Sequence, residues 1–211
     1  MAEATVIAVL GAESTGKSTL ALALQQSLSM AGRRVAAVGE VLREFCDAQG
    51  RTPRQHEQAG IATEQMRRID EAAQTHDIVI ADTTALQIAV YSEIVFGDRS
   101  LYGQALRAQA RCRHTLLCAV DLPWVADGVQ RDGPHVREPV DALLRAALQR
   151  HGPGYAVIGG QGPARLAAAL AALQPAPSPP AEGATAALRW HGVCDRCGDP
   201  DCERHLLPRG Y

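Results

Sequence analysis

The chain has 211 residues, enough for one sizeable α/β domain and a small appendage but short for two full domains. A formal net charge of −2 and an aromatic content of 4% supply neither the positive field nor the stacking surface that nucleic acid would use. "MAEATVIAVLG" lacks a basic leader with a cleavage site and "TVIAVL" is too short to cross a bilayer, so the expectation is a cytoplasmic protein without membrane contact.

In chain order, short β-type runs alternate with longer helical stretches. "TVIAVL" (5–10) reads as a strand, and an Ala/Leu-rich helix follows over about 17–31. "RRVAAVGE" (33–40) is a second strand, and Pro53 suits the first turn of a long helix over 54–75. "DIVIAD" (77–82) is a compact apolar run, as expected of a strand covered on both faces. Helices are expected over 84–95 and 101–111, a fourth strand over 114–121 and another helix over 137–150. A fifth strand at 155–160 and a closing helix at 162–173 complete the body. This alternation implies a three-layer α/β fold with a parallel sheet of about five strands.

After residue 173 the texture changes to a Pro/Ala-rich linker (174–187) and a Cys/His-rich module (188–211). Cys46, Cys112 and Cys118 are scattered through the body, where reduced thiols pack as small hydrophobes. Cys194, Cys197 and Cys202 instead crowd the tail, and with His205 they form C-x2-C-x4-C-x2-H. That set can close a structural Zn²⁺ site, with His191 as an alternative nitrogen ligand, and metal binding could supply the folding energy so short a segment lacks. An unstructured tail with incidental thiols, or a redox-sensitive C-x-x-C pair, are the competing readings.

Between the first strand and its helix lies "GAESTGKST", which fits G-x-x-x-x-G-K-[ST]. Gly11 and Gly16 allow a backbone in which the N–H groups of Glu13, Ser14, Thr15, Gly16, Lys17, Ser18 and Thr19 converge on phosphates. The positive end of the helix dipole adds to that field. Lys17 can reach the β- and γ-phosphates of ATP, and the Ser18 hydroxyl can ligate Mg²⁺. Asp82, closing the third strand, would be the second Mg²⁺ anchor, although an Asp there could also cap the next helix.

"GEVLREF" follows the second strand, so Glu40, Arg43 and Glu44 project near the phosphate loop. Glu40 or Glu44 could orient an acceptor hydroxyl and take its proton, with Arg43 as a cation over the transferring group. A solvated, charged helix start is the plainer alternative. Gly128, Gly133 and Pro134 make 121–140 a candidate lid carrying Arg131 and Arg137, against an ordinary surface loop.

"GAESTGKSTL", "GEVLREF", "IVIADTT" and "WVADGVQR", in that order, resemble the ribosylnicotinamide kinase domain of NadR-type proteins over about residues 1–173. The resemblance implies a P-loop NTPase fold in which Gly16, Lys17, Ser18 and Thr19 form the ATP-phosphate loop. It also implies that Glu40 and Arg43 belong to the substrate side, Asp82 is the acid after the third strand, and Trp124, Asp127 and Arg131 belong to the lid. Two departures stand out. Thr84 occupies the place of a second acid, which bears on nucleoside binding, and the adenylyltransferase domain of full-length NadR is not in these 211 residues. One functional reading is an ATP-dependent kinase of a small hydroxylated acceptor, nicotinamide riboside foremost. The other is a regulatory or assembly ATPase whose zinc-type tail recruits a protein or RNA partner or mediates oligomerisation.

Overall fold

A computed structural model describes residues 4–125, 134–151 and 154–174. Asp127 and Arg131 of the expected lid, nearly all of the expected linker and the whole Cys/His set lie outside the described residues.

The apolar runs form five parallel strands: β1 (Thr5–Leu10), β2 (Val35–Val38), β3 (Ile78–Asp82), β4 (His114–Cys118) and β5 (Ala156–Ile158). Their order across the sheet is β2-β3-β1-β4-β5. The helices are α1 (Lys17–Met30), α2 (Val41–Gln49), α3 (Gln55–Thr75), α4 (Ala85–Phe96), α5 (Tyr102–Gln109), α6 (Arg137–His151) and α7 (Gly162–Ala172). A short 3-10 turn over Pro134–Val136 leads into α6. No helix among the described residues is long and apolar enough to cross a membrane.

Strand alternation sorts the core into two sides. Ile7 and Val9 point to the side of α1 and α7, where they join Leu20, Leu24, Ile80 and Leu116. Leu10 and Leu117 point the other way, into a cluster built with Leu86, Ile88, Val90, Leu144 and Leu148 from α4 and α6. On that same side α3 lays Ile69 over Val79 and Ala81. Both faces are therefore covered, which is why these strands read as continuous apolar runs rather than as alternating ones. Each fully buried Leu or Ile contributes roughly 1.5–3 kcal/mol relative to exposure. Helix α4 is buried nearly all round, since α3, α5 and α6 pack against it.

The second and fourth strands are shorter than expected, at Val35–Val38 and His114–Cys118, and two further differences bear on the site. "VLREFCDAQ" is a helix of its own, ended by Gly50 in the left-handed region (φ 63°). Helix α3 begins at Gln55, with Pro53 just ahead of it rather than in its first turn. The reason is local: the Glu57 carboxylate accepts the Arg54 N–H at 2.7 Å, fixing Arg54 as the cap.

Register decides where the chemistry goes. Val9 of β1 pairs with Asp82 of β3, so the strand that feeds the glycine loop lies beside the strand that ends in an acid. Both carboxyl ends open on the same edge of the sheet, the edge at which open α/β sheets bind ligands.

Candidate active site

The loop from Gly11 to Gly16 curls back on itself. The Thr15 hydroxyl donates to the Ala12 carbonyl at 2.8 Å, and Lys17 Nζ donates to that same carbonyl at 2.9 Å. Ser14 (φ 54°) and Gly16 (φ 76°) both take left-handed backbone, turning successive N–H groups toward one concavity. Gly11 cannot carry a side chain: a Cβ there would sit 2.8 Å from Thr15 Oγ1 and 3.0 Å from Cys118 Cβ. Helix α1 starts at Lys17 with no side chain capping its first turn, so those N–H groups are not engaged by a cap. The concavity suits an oligophosphate.

Behind the loop, Asp82 ends β3 and is buried, and its Oδ1 has no hydrogen-bond partner. It does not cap α4. Thr84 does, its hydroxyl accepting the Leu86 N–H at 3.3 Å. Thr83 between them has φ 82°, an unusual conformation for a β-branched residue, and costs on the order of 1–3 kcal/mol. That turn separates the two roles, leaving Asp82 at the strand end and Thr84 at the helix start. Thr84 further donates to Gln109 Oε1 at 2.7 Å, and Gln109 Nε2 donates to Thr115 at 2.9 Å. The hydroxyl in place of a second acid is thus tied into the core. Ser18 lines the cavity beside the glycine loop, and Asp82 is not among its lining residues. A carboxylate oxygen without a hydrogen-bond partner and a serine hydroxyl at the start of α1 are ligands of the type a hard divalent cation takes together with retained water.

Structure separates Glu40 from Glu44. Glu40 is buried and lines the cavity beside the glycine loop. Although it occupies the cap position of α2, its side chain makes no cap hydrogen bond. Burial pushes its carboxyl above the ordinary range; the Lys17 charge opposes that rise, the Asp82 charge adds to it, and Arg43, 3.4 Å away, opposes it. Glu44 is exposed and bound to Arg68 at 2.6 Å, which is the solvated-surface arrangement. The side chain that fixes this split is Gln65, fully buried on α3. It accepts the Val41 N–H at 2.9 Å and donates to the Gly39 carbonyl at 3.1 Å, clamping the turn on both sides of Glu40.

The cavity occupies about 790 Å³. Glu13, Ser14, Thr15, Gly16, Lys17, Ser18 and Thr19 all line it. Leu122, Gln161, Gly162, Arg165 and Leu166 contribute further walls, as do Glu40, Arg43, Gln58, Tyr91 and Phe96.

Of the candidate lid cations, Arg137 is placed at the start of α6, where it is buried and donates to the Leu122 carbonyl at 2.8 Å. It braces the segment that follows β4 and is not among the residues lining the cavity. Trp124, half-buried with its indole N–H unpartnered, is likewise not among them. Val125 does reach the loop: its carbonyl accepts from the Ser14 hydroxyl at 3.0 Å, and its N–H donates back to that hydroxyl at 3.2 Å.

Arg165 was not singled out by the sequence. It is buried on α7 and donates to the carbonyls of Thr15 (2.9 Å), Ala119 (3.2 Å) and Gly160 and to Asp121 Oδ1 (2.9 Å). Gln87, on α4, is a second brace: its Oε1 accepts the Gly11 N–H at 3.1 Å. Neither has a local motif; each serves a backbone atom far away in the chain. Among the described residues no three His, Cys, Asp or Glu side chains come together as a metal cluster.

Residues 6–165 match the family described as AAA domain. No curated protein matches the sequence. Among solved structures, a NadR protein in complex with NR is similar with a TM-score of 0.65 and 21% identity over 80% of this chain. This chain covers 48% of that one, about half its length. Thymidylate kinase from Ehrlichia chaffeensis has a TM-score of 0.54 and 14% identity, over 76% of this chain and 90% of its own. Deoxyadenosine kinase from M. mycoides, with products dCMP and dCDP bound, has a TM-score of 0.53 and 12% identity, over 79% and 96%. At these identities the likeness is one of fold.

Proposed function

This chain belongs to the AAA domain family, and on that premise we propose that it is an ATP-dependent phosphotransferase acting on a nucleoside-type hydroxyl, with nicotinamide riboside the leading acceptor. The observation that carries the reading is a buried carboxylate, Glu40, in the same cavity as a phosphate-binding loop. A loop that only hydrolysed ATP would have no use for a desolvated acid and apolar walls in the cavity it lines.

In this mechanism the amides of residues 13–19 and Lys17 grip the β- and γ-phosphates. Ser18 and Asp82 would hold a Mg²⁺, which would offset phosphate charge when bound. Glu40 orients the acceptor hydroxyl and takes its proton as the oxygen bonds to the γ-phosphorus. The bond from that phosphorus to the bridging oxygen breaks, and ADP leaves. Arg43, beside Glu40, adds positive charge where the transferring group becomes anionic. Water exclusion by residues 121–140, Arg131 included, is part of the same proposal.

The test is ATP consumption and phosphorylated product across a nucleoside panel that includes nicotinamide riboside. At least one nucleoside should raise turnover well above the basal rate, and Lys17→Ala should remove that turnover while the protein stays folded. Turnover that answers only to a protein or RNA partner would replace the kinase reading with that of an assembly ATPase.

The C-x2-C-x4-C-x2-H set of Cys194, Cys197, Cys202 and His205 is proposed as a structural Zn²⁺ site on its ligand types and spacing. Purified full-length protein should carry about one zinc per chain, and a chain ending near residue 183 should carry none. Zinc-free full-length protein would end that proposal.

A further inference from the structure

We infer that Gln58 reads the base of the acceptor, and that this base carries an uncharged N–H donor, such as a carboxamide or exocyclic amine on a flat ring. The inference rests on the nucleoside-kinase reading above and adds a specificity residue to it.

Gln58 stands in the first turns of α3 and is 3% exposed, yet it is one of the walls of the cavity. Its Oε1 is buried without a hydrogen-bond donor. The same cavity is lined by the uncharged Leu42, Cys46, Pro53 and Phe96 as well as by Arg43, Thr52 and Tyr91, and none of these donates to Gln58 Oε1. A lone amide carbonyl held in such a wall is costly, because it has given up water and received nothing in return.

Other buried amides here show what satisfaction looks like. Gln65, two turns along the same helix, uses both its oxygen and its nitrogen on the turn around Glu40. Gln109 does the same between Thr84 and Thr115. Gln87 keeps a buried nitrogen without an acceptor, but it is not among the cavity walls. Gln58 alone among these four combines an unfilled acceptor with a side chain that lines the cavity.

The chemistry that fits is narrow. A flat ring packs on the apolar walls, and its amide or amine N–H meets Oε1. A carboxylate in that position would set a negative oxygen against the carbonyl oxygen and add charge near Glu40. A methyl group there would leave the carbonyl unpaired, and sites built to hydrogen-bond a substrate N–H discriminate strongly against such analogues.

The test uses the full chain with ATP and Mg²⁺ and two matched pairs of acceptors. Nicotinamide riboside is compared with 3-acetylpyridine riboside, where a methyl replaces the amide NH2, and adenosine with purine riboside, where hydrogen replaces the amine; each pair loses its N–H donor. Wild-type protein should prefer the donor-bearing member of one pair by about 10- to 100-fold in kcat/KM. In Gln58→Met, which keeps length and removes the carbonyl, the preference should fall to within about 3-fold, with the loss mainly on KM. Binding of the same pairs without turnover, read by thermal shift, should show the same collapse. A preference that survives Gln58→Met, or none in wild type by either readout, overturns the inference. A pairwise binding preference that depends on Gln58 in a protein that phosphorylates neither member would retain it while removing the kinase reading.

Discussion

Glu40→Gln is expected to lower kcat by about 10²- to 10⁴-fold, the usual contribution of a positioned proton acceptor, while leaving the protein at least as stable as wild type at neutral pH. The two halves have one cause. Burial raises the Glu40 carboxyl above the ordinary 4.5, and Lys17 and Arg43 only partly offset that rise. A carboxyl with a raised folded-state pKa binds its proton more tightly when folded than when unfolded. Its favourable contribution is complete below the unfolded value and is lost as pH rises through the folded value. Above that window wild-type protein carries an ionised, desolvated carboxylate; the amide variant does not. Melting temperatures of the two should converge near pH 4 and separate in favour of Glu40→Gln as pH rises to 8. The same shift moves the acid limb of wild-type kcat/KM above the ordinary carboxylate range, which improves Glu40 as a base near neutrality. A variant markedly less stable than wild type at pH 7 would mean that Lys17 and Arg43 stabilise the charge after all, and the pH argument would fall with it.

The core of this arrangement was readable from local pattern because local pattern causes it. Two glycines with four residues between them, set between an apolar run and a helix, force the loop whatever surrounds it, and the five apolar runs became the five strands. Glu40 and Glu44 could not be told apart in that way. Both are acids in one charged stretch, and what buries one and exposes the other is Gln65, on the next helix, together with Arg68. Asp82 had two readings, as metal anchor and as helix cap. The cap role goes to Thr84 because Thr83 takes a positive φ, which nothing in "ADTTA" announces. Arg137 looked like a lid cation by its place in a Gly/Pro-containing segment, but it is turned inward to the Leu122 carbonyl. Gln58 is an ordinary polar residue in a polar stretch until its helix is packed, when its carbonyl is left without a donor. For Glu40, Glu44 and Arg137 the missing signal is a partner 15 or more residues away; for Asp82 it is a backbone angle, and for Gln58 it is the packing that leaves its carbonyl without a donor.

Arg165→Ala is expected to destabilise the fold by about 3–5 kcal/mol, a large fraction of what holds a domain of this size together. Arg165 is nearly as distant in sequence as the body permits, 150 residues from Thr15, yet its guanidinium joins four pieces of the site. It meets the last residue of the phosphate loop before Gly16, the end of β4 at Ala119, Asp121 just beyond, and the turn after β5 at Gly160. Burial works to raise the Asp121 carboxyl, but the Arg165 guanidinium and the Gly160 N–H together hold it below its ordinary value. Asp121 is about one-third exposed, 36% by side chain, so solvent screens the charge pair itself and its share of the loss is small. Most of the expected cost comes from stranding buried backbone carbonyls whose donor has gone. Asp121→Asn should therefore cost only about 1 kcal/mol, and Arg165→Lys should fall between the two, because an ammonium lacks the planar fork that serves several acceptors at once. Urea unfolding of the three variants distinguishes the accounts. A midpoint for Asp121→Asn as low as that of Arg165→Ala would assign the stability to the ion pair, and an unchanged midpoint for Arg165→Ala would show that the loop stands without this tie. Because Thr15 is one of the four partners, the same variant should also weaken ATP binding by more than Asp121→Asn does, a difference that titration calorimetry on the folded proteins can read.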